Sequence, residues 1–408
     1  MRQSLRMRAL IVTRATLLAL AVGVAGCGGS SDTKSGILDP DRGGILSAPL
    51  AAALGKAQVA GALQQMGLGD RPAPYDIHFH RVIYRTVGVN GDTVTASGML
   101  AFPRGTSGPL PMISYQHGTS AAKQNVPSNT SYEEFLRLAA VACSSGYAVA
   151  AADYLGLGHS AGIHPYLHAS TEATACLDMI RASREVCREL GILLNSQLFL
   201  AGYSQGGHAT MALHRLIEGQ HSDEFTVTAS APAAGPYDLS GTTLDAALAT
   251  PSANTPRYLF YLLVSYETVY DLFSSFSQVF QPPYDTLARR AAAGELSLEE
   301  ALGQIGSGVD LSAMLQPSFV QALASDPDHP VRARLRENDL HDWHAIAPIR
   351  LYHSTSDQEV PYQNSVVAQA ALTARGSDVL LVPLTGDHVT ASGMALLQTL
   401  EWFDTLVQ

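Results

Sequence analysis

The stretch that decides the fold lies in the middle of the chain and joins an apolar run to a glycine-rich turn. It reads Leu198-Phe199-Leu200-Ala201-Gly202-Tyr203-Ser204-Gln205-Gly206-Gly207-His208-Ala209. The apolar residues before Gly202 are typical of a buried β-strand, and the pattern from Ala209 to Ile217 is typical of an amphipathic helix. A serine on a sharp strand-to-helix turn projects its hydroxyl above the sheet, and the flanking glycines leave room for neighbouring backbone. We therefore predict that Ser204 is a nucleophile.

The rest of the chain alternates short β-prone runs with helical patterns, which predicts a mainly parallel sheet flanked by helices. The runs are Leu110 to Tyr115, Tyr147 to Ala152, Gln197 to Ala201, Thr226 to Ala231, Ile349 to His353 and Val379 to Pro383. Before them, Ile77 to Val87 and Thr93 to Ala101 flank Asn90-Gly91-Asp92 and predict a β-hairpin. The fold class is therefore α/β with an N-terminal hairpin.

The interval between Pro232 and Ile349 is too long for a simple connection and carries several helical patterns. We predict a helical cap or lid insertion over residues 238–345. Aromatic residues recur within it at helical spacing, namely Tyr266, Tyr270, Phe273, Phe276 and Phe280. Two interpretations stay open for them: packing of the helix on its neighbours, or the lining of an apolar pocket.

Composition restricts the classes of partner. The 408 residues are 46% hydrophobic and 15% charged, which is the profile of a globular protein with a substantial core. The formal net charge of -11 argues against binding to nucleic acid. No spacing of the four cysteines suggests a zinc site, and we expect no metal.

The N-terminus has the pattern of an export signal. Four arginines precede an apolar run from Ala15 to Gly26 that is too short to span a bilayer. The run ends in Val24-Ala25-Gly26 before Cys27 and resembles the bacterial lipobox, in which the cysteine carries the lipid. The alternative is an ordinary signal peptide followed by a chance cysteine.

We therefore predict three segments: a lipoprotein signal peptide at residues 1–26, a lipid-anchored tether and N-terminal segment at 27–70, and a catalytic domain at 71–408. The expected location is the cell envelope of a bacterium, with a membrane contact through the anchor. Gly28 and Gly29 follow the cysteine, where no aspartate stands. By resemblance to Gram-negative lipoproteins, this favours the outer membrane if the envelope is of that type.

If Cys27 is lipidated, three cysteines remain, at Cys143, Cys176 and Cys187. One disulfide is possible, with one thiol left over. Cys176 and Cys187 lie on one predicted helix, about 16 Å apart along its axis, so they can pair only if that helix breaks.

A serine hydroxyl needs a base to take its proton and an acid to orient that base. In enzymes with such a strand-turn-helix serine, the acid follows the serine in the chain and the histidine comes last. His388 follows the last predicted strand, and Asp357 lies in the loop after the preceding one. We assign His388 as the base and Asp357 as the acid, with Glu359 as the alternative acid. Structural roles are expected for His208, His214 and His353.

The negative oxygen of a tetrahedral intermediate needs hydrogen-bond donors. We predict the backbone N–H of Gln205, which follows the nucleophile, as one donor. The second is assigned to the backbone N–H of Thr119, in the loop Gln116-His117-Gly118-Thr119. His117 is expected to support this loop.

These residues resemble the α/β-hydrolase superfamily and, more narrowly, the secretory lipase family with its bacterial relatives. The motifs that carry the resemblance are Gln116-His117-Gly118-Thr119, Pro127-Ser128, Asp153-Tyr154-Leu155-Gly156-Leu157-Gly158, His164-Pro165-Tyr166-Leu167, Gly202 to His208, and the Asp357 and His388 loops. The resemblance implies a serine carboxylester hydrolase that cleaves a small-molecule or lipid ester without metal or organic cofactor. Many members carry a cysteine where this chain has Val126, so a disulfide there is absent.

Two other functions remain open. A serine peptidase or amidase uses the same constellation, and leaving-group recognition would lie in the cap. A catalytically silent envelope lipoprotein is the third possibility, although all three triad positions hold suitable residues.

Overall fold

The computed structural model describes residues 42–306 and 308–408. The predicted signal peptide, Cys27 and the first part of the tether lie outside the described residues. The described residues form one compact unit. Within this part of the chain, no helix is both long enough and apolar enough to cross a membrane.

The centre of the fold is a ten-stranded sheet, counted over the described residues. Its strands are β1 Ile45–Ser47, β2 Leu50–Leu54, β3 Asp76–Val87, β4 Thr93–Arg104, β5 Leu110–Gln116, β6 Ala148–Ala152, β7 Leu194–Tyr203, β8 Val227–Ala233, β9 Ile349–Ser354 and β10 Val379–Leu384. The order is β1-β3-β4-β6-β5-β7-β8-β9-β10, and β2 also pairs with β3. The six strands from β6 to β10 along this order are parallel, whereas β1 to β4 pair antiparallel.

All six predicted β-prone runs and both strands of the predicted hairpin are strands of this sheet. The predicted α/β class, with a mostly parallel sheet between helices, is confirmed. The purely apolar runs were identifiable because a parallel strand is buried on both faces. All seven residues of β5 are buried, as are all five of β6.

Helices cover both faces of the sheet. Their bounds are α1 Lys56–Gln65, α2 Glu133–Ser144, α3 Ala169–Glu189, α4 Gln205–Gln220, α12 Gln363–Ala374 and α13 His388–Asp404. The helices α1, α2 and α13 share one hydrophobic core with the sheet, and α3 and α4 share the core on the opposite face. The parallel strands thereby place the loops at their carboxyl ends along one edge.

No strand or helix is predicted before residue 76, but the structure has β1, β2 and α1 there. Val59 and Leu63 of α1 are buried in the same core as Phe79. The boundary predicted at residue 71 therefore falls inside the folded unit. The run Leu50-Ala51-Ala52-Ala53-Leu54 gives little strand signal because alanine is depleted in strands, and its pairing with β3 depends on tertiary context.

The segment between β8 and β9 is helical and has a hydrophobic core of its own. Its α-helices are α5 Leu244–Ala249, α6 Thr255–Tyr270, α7 Tyr284–Ala292, α8 Leu298–Gln304, α9 Leu311–Met314, α10 Pro317–Ser325 and α11 Pro330–Glu337. We call residues 239–337 the cap. All five of the recurrent aromatic residues belong to the core of the cap or pack against it. Of the two interpretations, packing of the helix on its neighbours therefore applies to these five residues.

The three described cysteines are buried and free. Helix α3 is continuous from Ala169 to Glu189, so it holds Cys176 and Cys187 apart as expected. Burial raises the pKa of the Cys187 thiol to about 12 and raises the pKa values of Cys143 and Cys176 further. Burial and these raised pKa values leave the thiols without the thiolate character that reactive cysteines need.

Candidate active site

Ser204 lies on the turn between β7 and α4, in a strained backbone conformation with φ 61° and ψ -123°. The two glycines of the motif are required by close backbone contacts. A Cβ atom on Gly206 would lie 2.0 Å from the carbonyl oxygen of Gln116, and one on Gly202 would lie 2.3 Å from that of Gly206. The tight turn can therefore form only without side chains at these positions.

His388 and Asp357 meet Ser204 at the carboxyl edge of the sheet. The distance from His388 Nε2 to Ser204 Oγ is 2.9 Å, and His388 Nδ1 lies 2.5 Å from Asp357 Oδ2. If Nδ1 donates to the carboxylate, the lone pair of Nε2 faces the serine hydroxyl. The Tyr203 hydroxyl donates to the backbone carbonyl of His388 at 2.6 Å, which fixes the start of α13 beside the nucleophile.

The Asp357 carboxylate is held by its own loop. Its Oδ1 atom accepts hydrogen bonds from the backbone N–H groups of Glu359 and Val360, both at 2.9 Å. Burial alone would raise the pKa of Asp357, but hydrogen bonds from His353 and His388, and the charge of His388, outweigh it and hold that pKa well below its usual value.

His353 also contacts Asp357, which its sequence position does not predict. Its Nε2 atom lies 3.3 Å from Asp357 Oδ2 and 3.0 Å from the carbonyl oxygen of Val360, while Nδ1 contacts Ser365 Oγ at 2.7 Å. His353 is fully buried near the end of β9. No local pattern predicts the contact, because a strand residue and a loop residue four positions later have no fixed side-chain relation.

The alternative acid, Glu359, points elsewhere. Its two oxygens accept hydrogen bonds from Ser252 Oγ and Asn254 Nδ2, both at 2.9 Å, so it joins the Asp357 loop to the cap. Of the two predicted acids, only Asp357 contacts the imidazole of His388. The neighbouring Asp387 caps α13 through the backbone N–H of Thr390 at 2.8 Å.

Both predicted oxyanion donors belong to residues that line a cavity beside Ser204. Gln205 is the first residue of α4, so its N–H has no acceptor within the helix. Thr119 lines the same cavities as Ser204, and its hydroxyl contacts that of Tyr166 at 3.1 Å. The loop before Thr119 is braced by His117, whose Nδ1 contacts the carbonyl oxygen of Gly118 at 2.7 Å.

Two cavities adjoin Ser204. The smaller, about 100 Å³, is mostly apolar and lies between the cap and the loops at the edge of the sheet; Leu239, Leu244, Leu259, Leu262, Leu335 and Val360 line it. The larger, about 480 Å³, is lined by His388 together with Glu133, Glu134, Arg137 and Ser392. Thr119, Ser204 and Tyr258 border both.

One group among the described residues has the composition of a cation site. Asp238, Asp339 and His341 bring three potential ligand atoms within 4.8 Å of one another. Both carboxylates already accept protein hydrogen bonds, Asp238 from the N–H of Thr242 and Asp339 from the hydroxyl of Ser240. These contacts tie the start of the cap to the chain just beyond its end.

Comparison with known proteins assigns the family. A profile of the secretory lipase family matches residues 122–235, which include the Ser204 turn. The rice cell wall degrading esterase LipA from Xanthomonas oryzae is 33% identical, with a TM-score of 0.78 over 90% of this chain and 98% of that one. The chain belongs to the secretory lipase family.

Two further structures have the same fold. A Legionella pneumophila protein described as a hydrolase is 28% identical, with a TM-score of 0.82 over 89% of this chain and 98% of that one. Candida antarctica lipase A shares the fold at 16% identity and a TM-score of 0.68, over 90% of this chain and 83% of that one. A search of curated protein sequences found no match.

Membership of the secretory lipase family confirms the predicted enzyme class. The chain is an α/β-hydrolase and a carboxylic ester hydrolase of the esterase or lipase type.

Proposed function

We propose that the protein cleaves acyl esters through a triad of Ser204, His388 and Asp357 and a covalent acyl-enzyme. The observation that carries the proposal is the chain of contacts from Ser204 Oγ to His388 Nε2, 2.9 Å, and from His388 Nδ1 to Asp357 Oδ2, 2.5 Å. Ser204 Oγ attacks the ester carbonyl while His388 takes its proton, and the ionised Asp357 stabilises the resulting imidazolium.

The oxyanion is stabilised by the backbone N–H groups of Gln205 and Thr119, aided by the positive end of the α4 dipole. His388 then gives its proton to the leaving alcohol, and the Ser204 ester remains. Water, activated by the same imidazole, hydrolyses that ester and restores the serine. These steps use only groups of the chain and water, so no cofactor is expected.

We infer from the position of His388 which half of the ester each cavity holds. A leaving oxygen must lie within hydrogen-bond distance of His388 Nε2 to receive the proton. His388 lines the larger cavity, so we assign the alcohol half of the ester to it. The acyl chain is assigned to the smaller apolar cavity under the cap, where Gln205 is also a lining residue.

The proposal is tested by hydrolysis of p-nitrophenyl esters with two-carbon to sixteen-carbon acyl chains, with Ser204→Ala measured in parallel. We expect turnover that requires Ser204, an optimum at short chains set by the small cavity, and labelling of Ser204 by a fluorophosphonate. A folded protein that ignores esters but cleaves aminoacyl amides would overturn the ester assignment. A folded protein that the probe does not label would overturn the triad.

We also propose that the mature protein is an exported bacterial lipoprotein of the cell envelope, in the outer membrane if the cell is Gram-negative. The support is the run from Ala15 to Gly26 followed by Cys27. Metabolic labelling with radioactive palmitate should mark the wild-type chain and leave Cys27→Ala unlabelled. Equal labelling of both chains would contradict the assignment.

A further inference from the structure

The side chain of Gln205 is held by two buried partners on the side of α4 that faces α3. Its Nε2 atom lies 2.8 Å from Glu172 Oε1 and 2.7 Å from His164 Nε2. Gln205, Glu172 and His164 are all buried. Gln205 Oε1 is buried too and finds no hydrogen-bond partner among the described residues, so the contacts of this amide depend on its two N–H groups.

The contacts of His164 and Gln205 are satisfied by only one arrangement of protons. His164 Nδ1 lies 2.8 Å from the carbonyl oxygen of Leu155, so Nδ1 donates and Nε2 accepts from Gln205. This requires a neutral ring, and burial lowers the pKa of His164 to about 4. Reversing the amide would place its oxygen against a carboxylate oxygen and a ring lone pair, which would be repulsive.

The second oxygen of Glu172 contacts a buried histidine. Glu172 Oε2 lies 2.7 Å from His208 Nδ1, and His208 Nε2 lies 3.0 Å from the carbonyl oxygen of Asn338. Burial would raise the pKa of Glu172, but the charge and hydrogen bond of His208 outweigh it and lower that pKa. Both nitrogens of His208 face hydrogen-bond acceptors, so the ring joins Glu172 of α3 to the chain at Asn338.

This network acts on the residue that supplies a proposed oxyanion donor. The direction of the Gln205 N–H is set by ψ of Ser204, which is strained at -123°. Relaxing that angle would move the Cα–Cβ bond of Gln205 and break the hydrogen bonds of its amide.

We propose that Glu172 and His208 are positioning residues, which hold Gln205 so that its backbone N–H points at the oxyanion. The inference rests on the proposed function, in which that N–H stabilises the transition state. Glu172 lines neither of the two cavities beside Ser204 and acts through the Gln205 side chain.

The test compares Glu172→Met, which removes the acceptor, with Glu172→Gln, which keeps an oxygen that can accept from Gln205. For Glu172→Met we expect kcat to fall between about tenfold and hundredfold. KM should change little, because the misplaced N–H of Gln205 stabilises the transition state and not the bound substrate. Glu172→Gln should retain most of the activity. The inhibition constant of an alkyl trifluoromethyl ketone, which forms a tetrahedral adduct with the serine, should rise in Glu172→Met in parallel with the fall in kcat/KM.

The matched control is Glu218→Met. Glu218 also pairs with a buried histidine of α4, at 2.8 Å from His214 Nε2, but at the far end of the helix. This variant should lose thermal stability and keep kcat and the inhibition constant, with active fractions normalised by the final extent of fluorophosphonate labelling.

An unchanged inhibition constant in folded Glu172→Met, or equal losses in Glu172→Met and Glu218→Met, would overturn the positioning role. Activity that survives Ser204→Ala would instead overturn the triad, so the two failures are distinguishable.

Discussion

Titration of His164 is expected to make the protein less stable in mild acid. Its pKa falls from 6.5 to about 4 because burial penalises the charged ring, while Glu172 partly offsets the shift and His117 and His168 add to it. Between pH 6.5 and about pH 4, the unfolded chain therefore binds a proton at His164, whereas the folded protein does not. The stabilisation from neutral His164 is complete above pH 6.5 and is lost as pH falls towards 4.

The magnitude follows from the two pKa values. Between pH 7 and pH 5, the linkage relation gives a loss of about 2 kcal/mol in the free energy of unfolding from this one group. This window lies above the titration of most carboxylates, so their contribution is small there. His164→Gln keeps an acceptor for Gln205 without a titratable ring, and should remove this part of the pH dependence.

Urea unfolding at pH 7 and at pH 5, followed by far-UV circular dichroism, measures the difference. Wild type should lose about 2 kcal/mol more than His164→Gln between the two pH values, whatever the stability of the variant at pH 7. His159→Gln, at an exposed position, is the control and should follow wild type. Equal losses in wild type and His164→Gln would refute the burial argument.

Four substitutions test the site and the cap. Asp357→Asn should leave only weak residual activity, because the asparagine favours the wrong imidazole tautomer of His388. Glu359→Gln should mainly weaken the contact between the Asp357 loop and the cap. A larger kcat loss in Glu359→Gln than in Asp357→Asn would show that the acid is misassigned. Gly206→Ala should unfold the turn or abolish turnover, since its Cβ would lie 2.0 Å from the Gln116 carbonyl oxygen, and wild-type kcat and melting temperature together would contradict this. Phe260→Ala should cost about 3 to 5 kcal/mol of stability, measured by urea unfolding, and a cost below about 1 kcal/mol would mean that the cap core repacks around the cavity.

The nucleophile turn could be predicted because its constraint is local. The turn needs Gly202, Ser204 and Gly206 at fixed positions within five residues. This short segment, with its flanking strand and helix, is therefore enough to predict the turn. Asp357 and His388 could be assigned because parallel strands bring successive loops to one edge of the sheet.

The supporting contacts could not be predicted, because their partners lie far away in the chain. Glu172 stands in the first turn of α3, where an acid is ordinarily an exposed helix-start residue that favours the dipole. Its burial against Gln205 and His208 follows from the packing of α3 on α4. The strand β2 was missed for a related reason, since its alanines pair with β3 only in the assembled sheet.

The parallel pairing of β8 with β9 also has a consequence for the order of folding. Ala233 pairs with Tyr352, so the chain must close a loop that contains the whole cap before the two strands meet. Closing a longer loop adds only about 0.6 kcal/mol per doubling of its length, but such non-local contacts slow folding. Asp357 and His388 follow this closure in the chain, whereas Ser204 precedes it. After dilution from denaturant, helical signal should therefore return before esterase activity.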